Sequence, residues 1–127
     1  INQDMCTLYN EIGIYKEFGG VALENREGVD IAAAVGNGKG AILRNHGLIT
    51  VGSTVDEAGY LLMLLEKSCQ MQMMADQYAA STGFPMLVAP HEEAQYTHDV
   101  QADPETLYTE FQPYYQEELK FDPLFLE

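Results

Sequence analysis

The sequence predicts an α/β fold in which a mixed sheet is flanked by helices. Residues 41–52, AILRNHGLITVG, contain two apolar runs typical of β-strands. Residues 54–80 repeat apolar side chains at spacings of three and four, which is the pattern of a long helix. Shorter strand-like and helix-like segments precede them, separated by glycine-rich turns. A chain of 127 residues is long enough for one domain with a modest core.

The elements before residue 52 are short. The alternation of Ile12 and Ile14, continued at Phe18, predicts a first strand, and Gly19-Gly20 predicts a turn or bulge after it. A short helix follows and ends at Asn37-Gly38, which suits a left-handed cap. The residues expected on its buried face are Val29, Ala32, Ala33 and Gly36. A strand interrupted by four polar or small residues then occupies residues 41–52.

The long helix has start and stop signals in the sequence. Thr54 and Glu57 form a T-x-x-E capping box, and Asp56 adds an acid near the positive end of the helix dipole. The helix is expected to span residues 55–80, with Gly83 just beyond it. Two parallel apolar stripes indicate that other elements cover it on more than one side.

The remaining residues are acidic and aromatic, and they predict two further helices. The first begins near Pro90, and the second begins at Asp103-Pro104, where Asp caps and Pro takes the first helical position. The chain is therefore divided into a strand and helix part at residues 1–52, the long helix at 53–83 and a helical tail at 84–127.

Charge and cysteine content narrow the classes of function. The 20 acidic residues outnumber the 6 basic ones, for a net charge of −14, and this argues against binding nucleic acid or anionic membranes. No apolar run approaches the roughly 18 residues of a membrane helix. Two cysteines, Cys6 and Cys69, do not make a disulfide framework, so a reducing cytoplasm is expected.

The interruption of the apolar stretch places Arg44, Asn45, His46 and Gly47 together. Neutral imidazole is the commonest protein ligand for zinc, and a strand end would hold it rigidly. Gly47 permits backbone conformations closed to other residues, so the ring of His46 could be aimed off the strand. Arg44 and Asn45 could orient that ring or meet an anionic substrate. The structural alternative is the turn of a hairpin between two strands.

The stretch AILRNHGLITVGSTVDEAGYLLMLLEKSCQMQMMA resembles the class II aldolase/adducin family, in which a strand carries R-N-H-G-L before V-G and a long T-x-x-E-A helix. The similarity covers about residues 12–80, and the tail resembles the end of fungal members more loosely. The resemblance implies a three-layer fold with a largely antiparallel sheet. It also implies zinc or another divalent metal held by three histidines, with His46 as the third.

The activity implied by the resemblance is aldol cleavage or epimerisation of a small sugar, which in some members is phosphorylated. The metal stabilises an enediolate while a carbon–carbon bond breaks. Family sites form at subunit contacts, so a homo-oligomer is expected. Tyrosines can donate a proton in relatives, but no motif selects one of Tyr108, Tyr114 and Tyr115 here.

The chain departs from the family because no H-x-H motif precedes R-N-H-G to supply the other two ligands. Family domains are longer and this chain begins at Ile1, so we expect it to be the C-terminal portion of a domain, without a complete site of its own. A partner chain could carry the missing half. His91 and His98 stand about 10 Å apart along one predicted helix, too far to bind one ion. The alternative function is a non-catalytic, adducin-like scaffold or interaction module.

Overall fold

The computed structural model describes residues 1–17 and 25–126. Its helices and strands, in chain order, are β1 (Ile12–Tyr15), α1 (Asn25–Val35), β2 (Gly40–Leu43), β3 (Gly47–Thr50), α2 (Val55–Thr82), α3 (His91–Gln101) and α4 (Pro104–Phe121). Short 3₁₀ helices occupy Asp4–Leu8 and Pro123–Leu126. The predicted α/β class is confirmed, whereas the predictions for Phe18 and Gly19-Gly20 lie outside the described residues.

The three strands form a mixed sheet in the order β1-β2-β3. Strands β1 and β2 run parallel, with Ile12 opposite Gly40, while β2 and β3 are antiparallel, with Leu43 opposite Gly47. The expectation of one interrupted strand over residues 41–52 is therefore wrong. The chain reverses at residues 44–46, so the two apolar runs pair with each other as a hairpin.

Helix α1 covers one face of the sheet. The core on this face is formed by Tyr15, Ala41 and Leu43, against which Ile31, Ala34, Val35 and Ile49 pack. The expected inner face of this helix is wrong, since Val29 is 67% exposed and Ala32 and Ala33 are also exposed. The helix approaches β1 so closely that a Cβ at Gly13 would overlap the carbonyl oxygen of Ala34. This close approach turns the face that carries Ala34 towards the sheet.

Helix α2 packs against the other face and against α4. The buried core here consists of Leu8, Leu61, Leu64, Leu65 and Leu107, with Ile12 and Leu48 of the sheet packed on it. The prediction that other elements cover α2 on more than one side is confirmed, because the sheet, α4 and the first 3₁₀ helix all contact it. None of the helices in the described part of the chain is long and apolar enough to cross a membrane.

The ends of α2 follow the predicted signals. The Thr54 Oγ1 accepts a hydrogen bond from the Glu57 N–H at 3.1 Å, and Gly83 adopts the left-handed conformation at φ 73°. Helix α4 is capped in the same way by Asp103, whose carboxylate accepts from the N–H groups of Glu105 and Thr106. Local capping therefore sets the boundaries of both helices.

Replacing Thr54 by alanine should lower the free energy of unfolding by about 1 kcal/mol, because the Glu57 N–H at the start of α2 loses its acceptor. Urea unfolding followed by circular dichroism measures this difference. Thr109→Ala is the control, since the Thr109 hydroxyl lies in the interior of α4 and donates to the Glu105 carbonyl, so it caps no helix. Equal losses in the two variants would contradict a specific capping role for Thr54.

Candidate metal-binding hairpin

The turn between β2 and β3 presents the R-N-H-G residues at the surface. The His46 N–H donates to the Leu43 carbonyl at 3.0 Å and closes the turn. Asn45 lies between them in the left-handed region, at φ 58°, which asparagine tolerates better than most residues. This hydrogen bond and the left-handed conformation of Asn45 define the turn, and His46 directly precedes the first residue of β3.

Gly47 supports this geometry because its φ is 151°, a value that side-chain-bearing residues rarely adopt. The side chains of Arg44, Asn45 and His46 are all exposed, and none of them hydrogen-bonds to another side chain in the described part of the protein. The turn therefore holds a cation, an amide and an imidazole next to each other, open to a ligand. The hairpin alternative is confirmed, since His46 lies in the turn between β2 and β3, whereas metal binding by His46 stays a prediction.

The base of the hairpin is attached to α2 by an ion pair in which the Glu57 carboxylate is buried and the Lys39 side chain is partly exposed. The Lys39 Nζ lies 2.7 Å from Glu57 Oε1, and the Ser53 N–H donates to Glu57 Oε2 at 2.6 Å. The Val51 N–H also donates to the Lys39 carbonyl, and the Thr50 hydroxyl to the Ala58 carbonyl. These bonds join the residue before β2, the end of β3 with the residues after it, and the first turn of α2. They fix the stem from which the R-N-H-G turn projects.

Glu57 is an uncommon residue in this setting because its side chain is only 1% exposed. Burial alone would raise the pKa of this carboxyl, but the hydrogen bonds from Lys39 and Ser53 outweigh burial and lower it. Glu57 is therefore charged at neutral pH and balanced by Lys39. From the sequence, Glu57 is recognisable only as a capping residue; its ion pair leaves no local signal because Lys39 is 18 positions away in the chain.

The two other histidines, His91 and His98, contact the amino-terminal segment and not the hairpin. His91 Nδ1 lies 2.6 Å from the Tyr9 hydroxyl, and His98 Nδ1 lies 2.9 Å from the Thr7 carbonyl. The His98 Nε2 faces Glu11 at 3.5 Å. Both rings thus contact the segment around the first 3₁₀ helix and β1.

A catalytic zinc ion needs about three protein ligands and an open position. Within residues 1–17 and 25–126, no group of three histidine, cysteine, aspartate or glutamate side chains is arranged to hold a metal. His46 could supply one ligand, and the described residues alone do not fit a complete zinc site. Any metal centre at this hairpin requires ligands from elsewhere.

The fold and the hairpin together define an α/β domain in which an imidazole projects from a turn between two strands, braced by a long helix. A sequence model of the class II aldolase and adducin N-terminal domain matches residues 1–73, more than half of the chain. The chain belongs to the class II aldolase and adducin family.

The chain is similar to relatives that differ in the activities their names state. The meiotically up-regulated gene 14 protein of Schizosaccharomyces pombe is 40% identical over 113 residues, which are 89% of this chain and 43% of the relative. The decarboxylase NovR of Streptomyces niveus is 34% identical over 89 residues, 70% of this chain and 33% of the relative. Among solved structures, L-fuculose 1-phosphate aldolase from Glaciozyma antarctica PI12 superposes with a TM-score of 0.78 at 28% identity.

That superposition covers 94% of this chain but only 43% of the aldolase. The chain thus spans less than half the length of these relatives. The match to the Schizosaccharomyces pombe protein extends well past residue 73, so the likeness is not limited to the sheet and α2 but includes part of the helical tail.

Proposed function

We propose that this chain supplies one part of a metal-dependent active site of the aldolase or epimerase type, with His46 as one ligand of zinc or another divalent ion. The observation that supports this proposal is the exposed imidazole of His46, held on a closed turn between Asn45 and Gly47. The other ligands would come from residues outside the described set or from a second chain. A second copy of this chain, in a homo-oligomer, is one such source.

The substrate we propose is a small sugar or a related hydroxy-carbonyl compound, free or phosphorylated. A divalent metal, when bound, supplies Lewis-acid stabilisation of negative charge on a carbonyl oxygen. The position of Arg44 and Asn45 in the same turn supports a role for them in binding anionic or hydroxyl groups of a substrate beside the imidazole. We also propose a cytoplasmic location, supported by the free thiols of Cys6 and Cys69.

The test is the metal content of the protein isolated from its natural source without added metal. Plasma mass spectrometry should find about one divalent ion per chain, and His46→Ala should remove it. His91→Ala is the matched control, since His91 is also exposed but contacts Tyr9 and not the hairpin. A metal-free source protein, or a His46→Ala variant that keeps its metal, would sink the proposal.

Cleavage of L-fuculose 1-phosphate is a second readout, because the Glaciozyma antarctica structure that superposes on this chain is an L-fuculose 1-phosphate aldolase. Loss of a metal ligand should cost at least roughly 100-fold in rate, as residues that only orient ligands already cost about 10- to 100-fold. An unchanged circular dichroism spectrum of His46→Ala at the assay temperature would show that the loss is not caused by unfolding, although loss of the ion should lower the thermal midpoint.

A second candidate function is an adducin-like interaction module. It is favoured by the carboxy-terminal residues, where Phe121 is 79% exposed and Leu124 and Leu126 are at least 60% exposed. Apolar groups exposed together at one end of a domain are typical of protein contacts. The metal measurement separates the two candidates, because a scaffold has no need of a bound ion.

A further inference from the structure

A polar cleft lies where the first 3₁₀ helix, α2 and α4 meet, and its volume is about 280 Å³. Three side chains of α2 line it at spacings of four and three, which places them on one face of that helix: Tyr60, Leu64 and Lys67. Three side chains of α4 line it at a spacing of four: Thr106, Glu110 and Tyr114. We call this space the α2–α4 cleft. It is separate from the R-N-H-G turn, because none of residues 44–47 lines it.

The α2–α4 cleft carries charges of both signs. Asp4 of the first 3₁₀ helix and Glu110 supply two carboxylates, and Lys67 supplies one ammonium group. Within residues 1–17 and 25–126, neither of these carboxylates forms an ion pair. The Lys67 ammonium donates to the Tyr114 hydroxyl at 3.0 Å and lies 5.2 Å from the centre of that ring. Because an ammonium group has three N–H donors, Lys67 keeps donors for a ligand.

Uncharged polar groups also line the cleft. The Thr7 hydroxyl donates to Gln101 Oε1 at 3.3 Å, which leaves the NH₂ group of the Gln101 amide as a donor. Burial, followed by the charges of Glu110 and Asp4, raises the pKa of the Tyr60 hydroxyl, so this group stays protonated at neutral pH. Since both carboxylates act on the same hydroxyl, they lie at the same part of the cleft.

We propose that the α2–α4 cleft binds a small zwitterion of the free amino acid class. The ammonium group of the ligand pairs with the carboxylates of Asp4 and Glu110, and its carboxylate accepts hydrogen bonds from Lys67 and Gln101. Hydrogen bonds between charged groups are about twice as strong as those between neutral groups. An ion of one sign would instead be repelled by part of the lining. The volume of about 280 Å³ lies just below the roughly 300 to 1,000 Å³ of pockets for drug-sized ligands, which suits a small metabolite.

Ligand-observed NMR on the protein isolated from its natural source tests this proposal, with the common L-amino acids as probes at about 1 mM each. At least one of them should bind, with a Kd of about 0.1 to 1 mM, because Lys67 and Glu110 are exposed and water competes for both. Ethylamine and acetate each carry only one of the two charges. Both should bind at least about tenfold more weakly than the amino acid.

Two pairs of variants, produced in the same source, locate the binding site. Glu110→Gln and Lys67→Met should each weaken binding of the amino acid by at least about tenfold, because each removes one charged partner of the ligand. Glu117→Gln and Lys120→Met are the matched controls, since both side chains are exposed on α4 and neither lines the cleft. The controls should keep the Kd within about twofold. All four side chains are exposed, so none of these variants is expected to unfold the protein, and circular dichroism checks this.

Absence of binding by every amino acid probe would overturn the proposal. Ethylamine that binds as tightly as the amino acids, with no loss in Lys67→Met, would also overturn it, in favour of a site for simple cations. Equal losses in Glu110→Gln and Glu117→Gln would contradict the placement of the ligand in this cleft. Amino acid binding by a metal-free protein would support the cleft while the function proposed for His46 fails. Bound metal without amino acid binding would show the reverse, so the two proposals can fail separately.

Discussion

Replacing Leu61 by alanine is expected to lower the free energy of unfolding by about 2 to 5 kcal/mol. Leu61 is 1% exposed and lies at the centre of the α2 core, in contact with the cluster that includes Leu65 and Leu107. Truncation removes buried apolar atoms and leaves a cavity that the surrounding helices can fill only in part. Since small domains are stable by only about 5 to 15 kcal/mol, this loss is large.

Urea unfolding followed by circular dichroism measures the difference between the wild type and Leu61→Ala. The matched control is Leu62→Ala, because Leu62 has the same chemistry one position later but is 42% exposed. The control should lose less than about 1 kcal/mol. Similar losses in the two variants would mean that Leu61 is not in a packed core, and the placement of α2 against α4 would then be in error.

The parts of the fold that the sequence predicted well are those set by local interactions. Thr54 caps α2 through an N–H only three residues away, and Gly83 ends the helix by its own backbone conformation. The prediction of residues 55–80 therefore agrees closely with the observed Val55–Thr82. The cap at Asp103 is equally local, and its prediction is confirmed for the same reason.

The parts that failed depend on distant packing or on single backbone angles. Apolar pattern alone did not separate an interrupted strand from a hairpin, because the reversal depends on the left-handed conformation of Asn45. The inner face of α1 was misjudged because an alanine-rich helix has two plausible apolar faces. The face that is buried is the one that contacts β1, where Ala34 of α1 packs closely on Gly13. No local sequence pattern shows this contact.

In the candidate site, too, the features set by neighbouring residues were predicted and those set by distant contacts were not. His46 was found from the sequence because the R-N-H-G residues are contiguous, and the structure adds that they form one closed turn. Whether His46 binds a metal stays a prediction. Lys39 was missed as the partner of Glu57, since ion pairs between a loop and a helix leave no periodic pattern.

Lys39→Met is the second variant for which a large effect is expected, and it tests the ion pair that braces the hairpin. The carboxylate of Glu57, 1% exposed, would keep the Ser53 N–H but lose its charged partner. Leaving one member of a buried pair alone costs about 3 to 5 kcal/mol. We expect about 3 kcal/mol at pH 7, the lower end, because the Lys39 side chain is 35% exposed and water can reach that side of the pair.

The pH dependence distinguishes this mechanism from a loss of packing. In the wild type the pKa of Glu57 lies below its ordinary value of 4.5, so its contribution to stability is complete above that pH and is lost as the pH falls through the lowered pKa. Without Lys39, burial should raise the pKa of Glu57. The deficit of Lys39→Met should therefore be largest near neutral pH and shrink in acid, as the carboxyl becomes neutral.

Urea unfolding of wild type and variant between pH 4 and pH 8 measures this trend, with Lys67→Met as the matched control. Within residues 1–17 and 25–126, the Lys67 ammonium donates to the exposed Tyr114 hydroxyl, so its loss leaves no buried charge among these residues and should show no such pH dependence. Adding Glu57→Gln to Lys39→Met should recover part of the stability at neutral pH, because a neutral amide can still accept from the Ser53 N–H. A deficit that is constant with pH, or a double variant less stable than Lys39→Met, would show that Lys39 acts through its aliphatic stem and not through its charge.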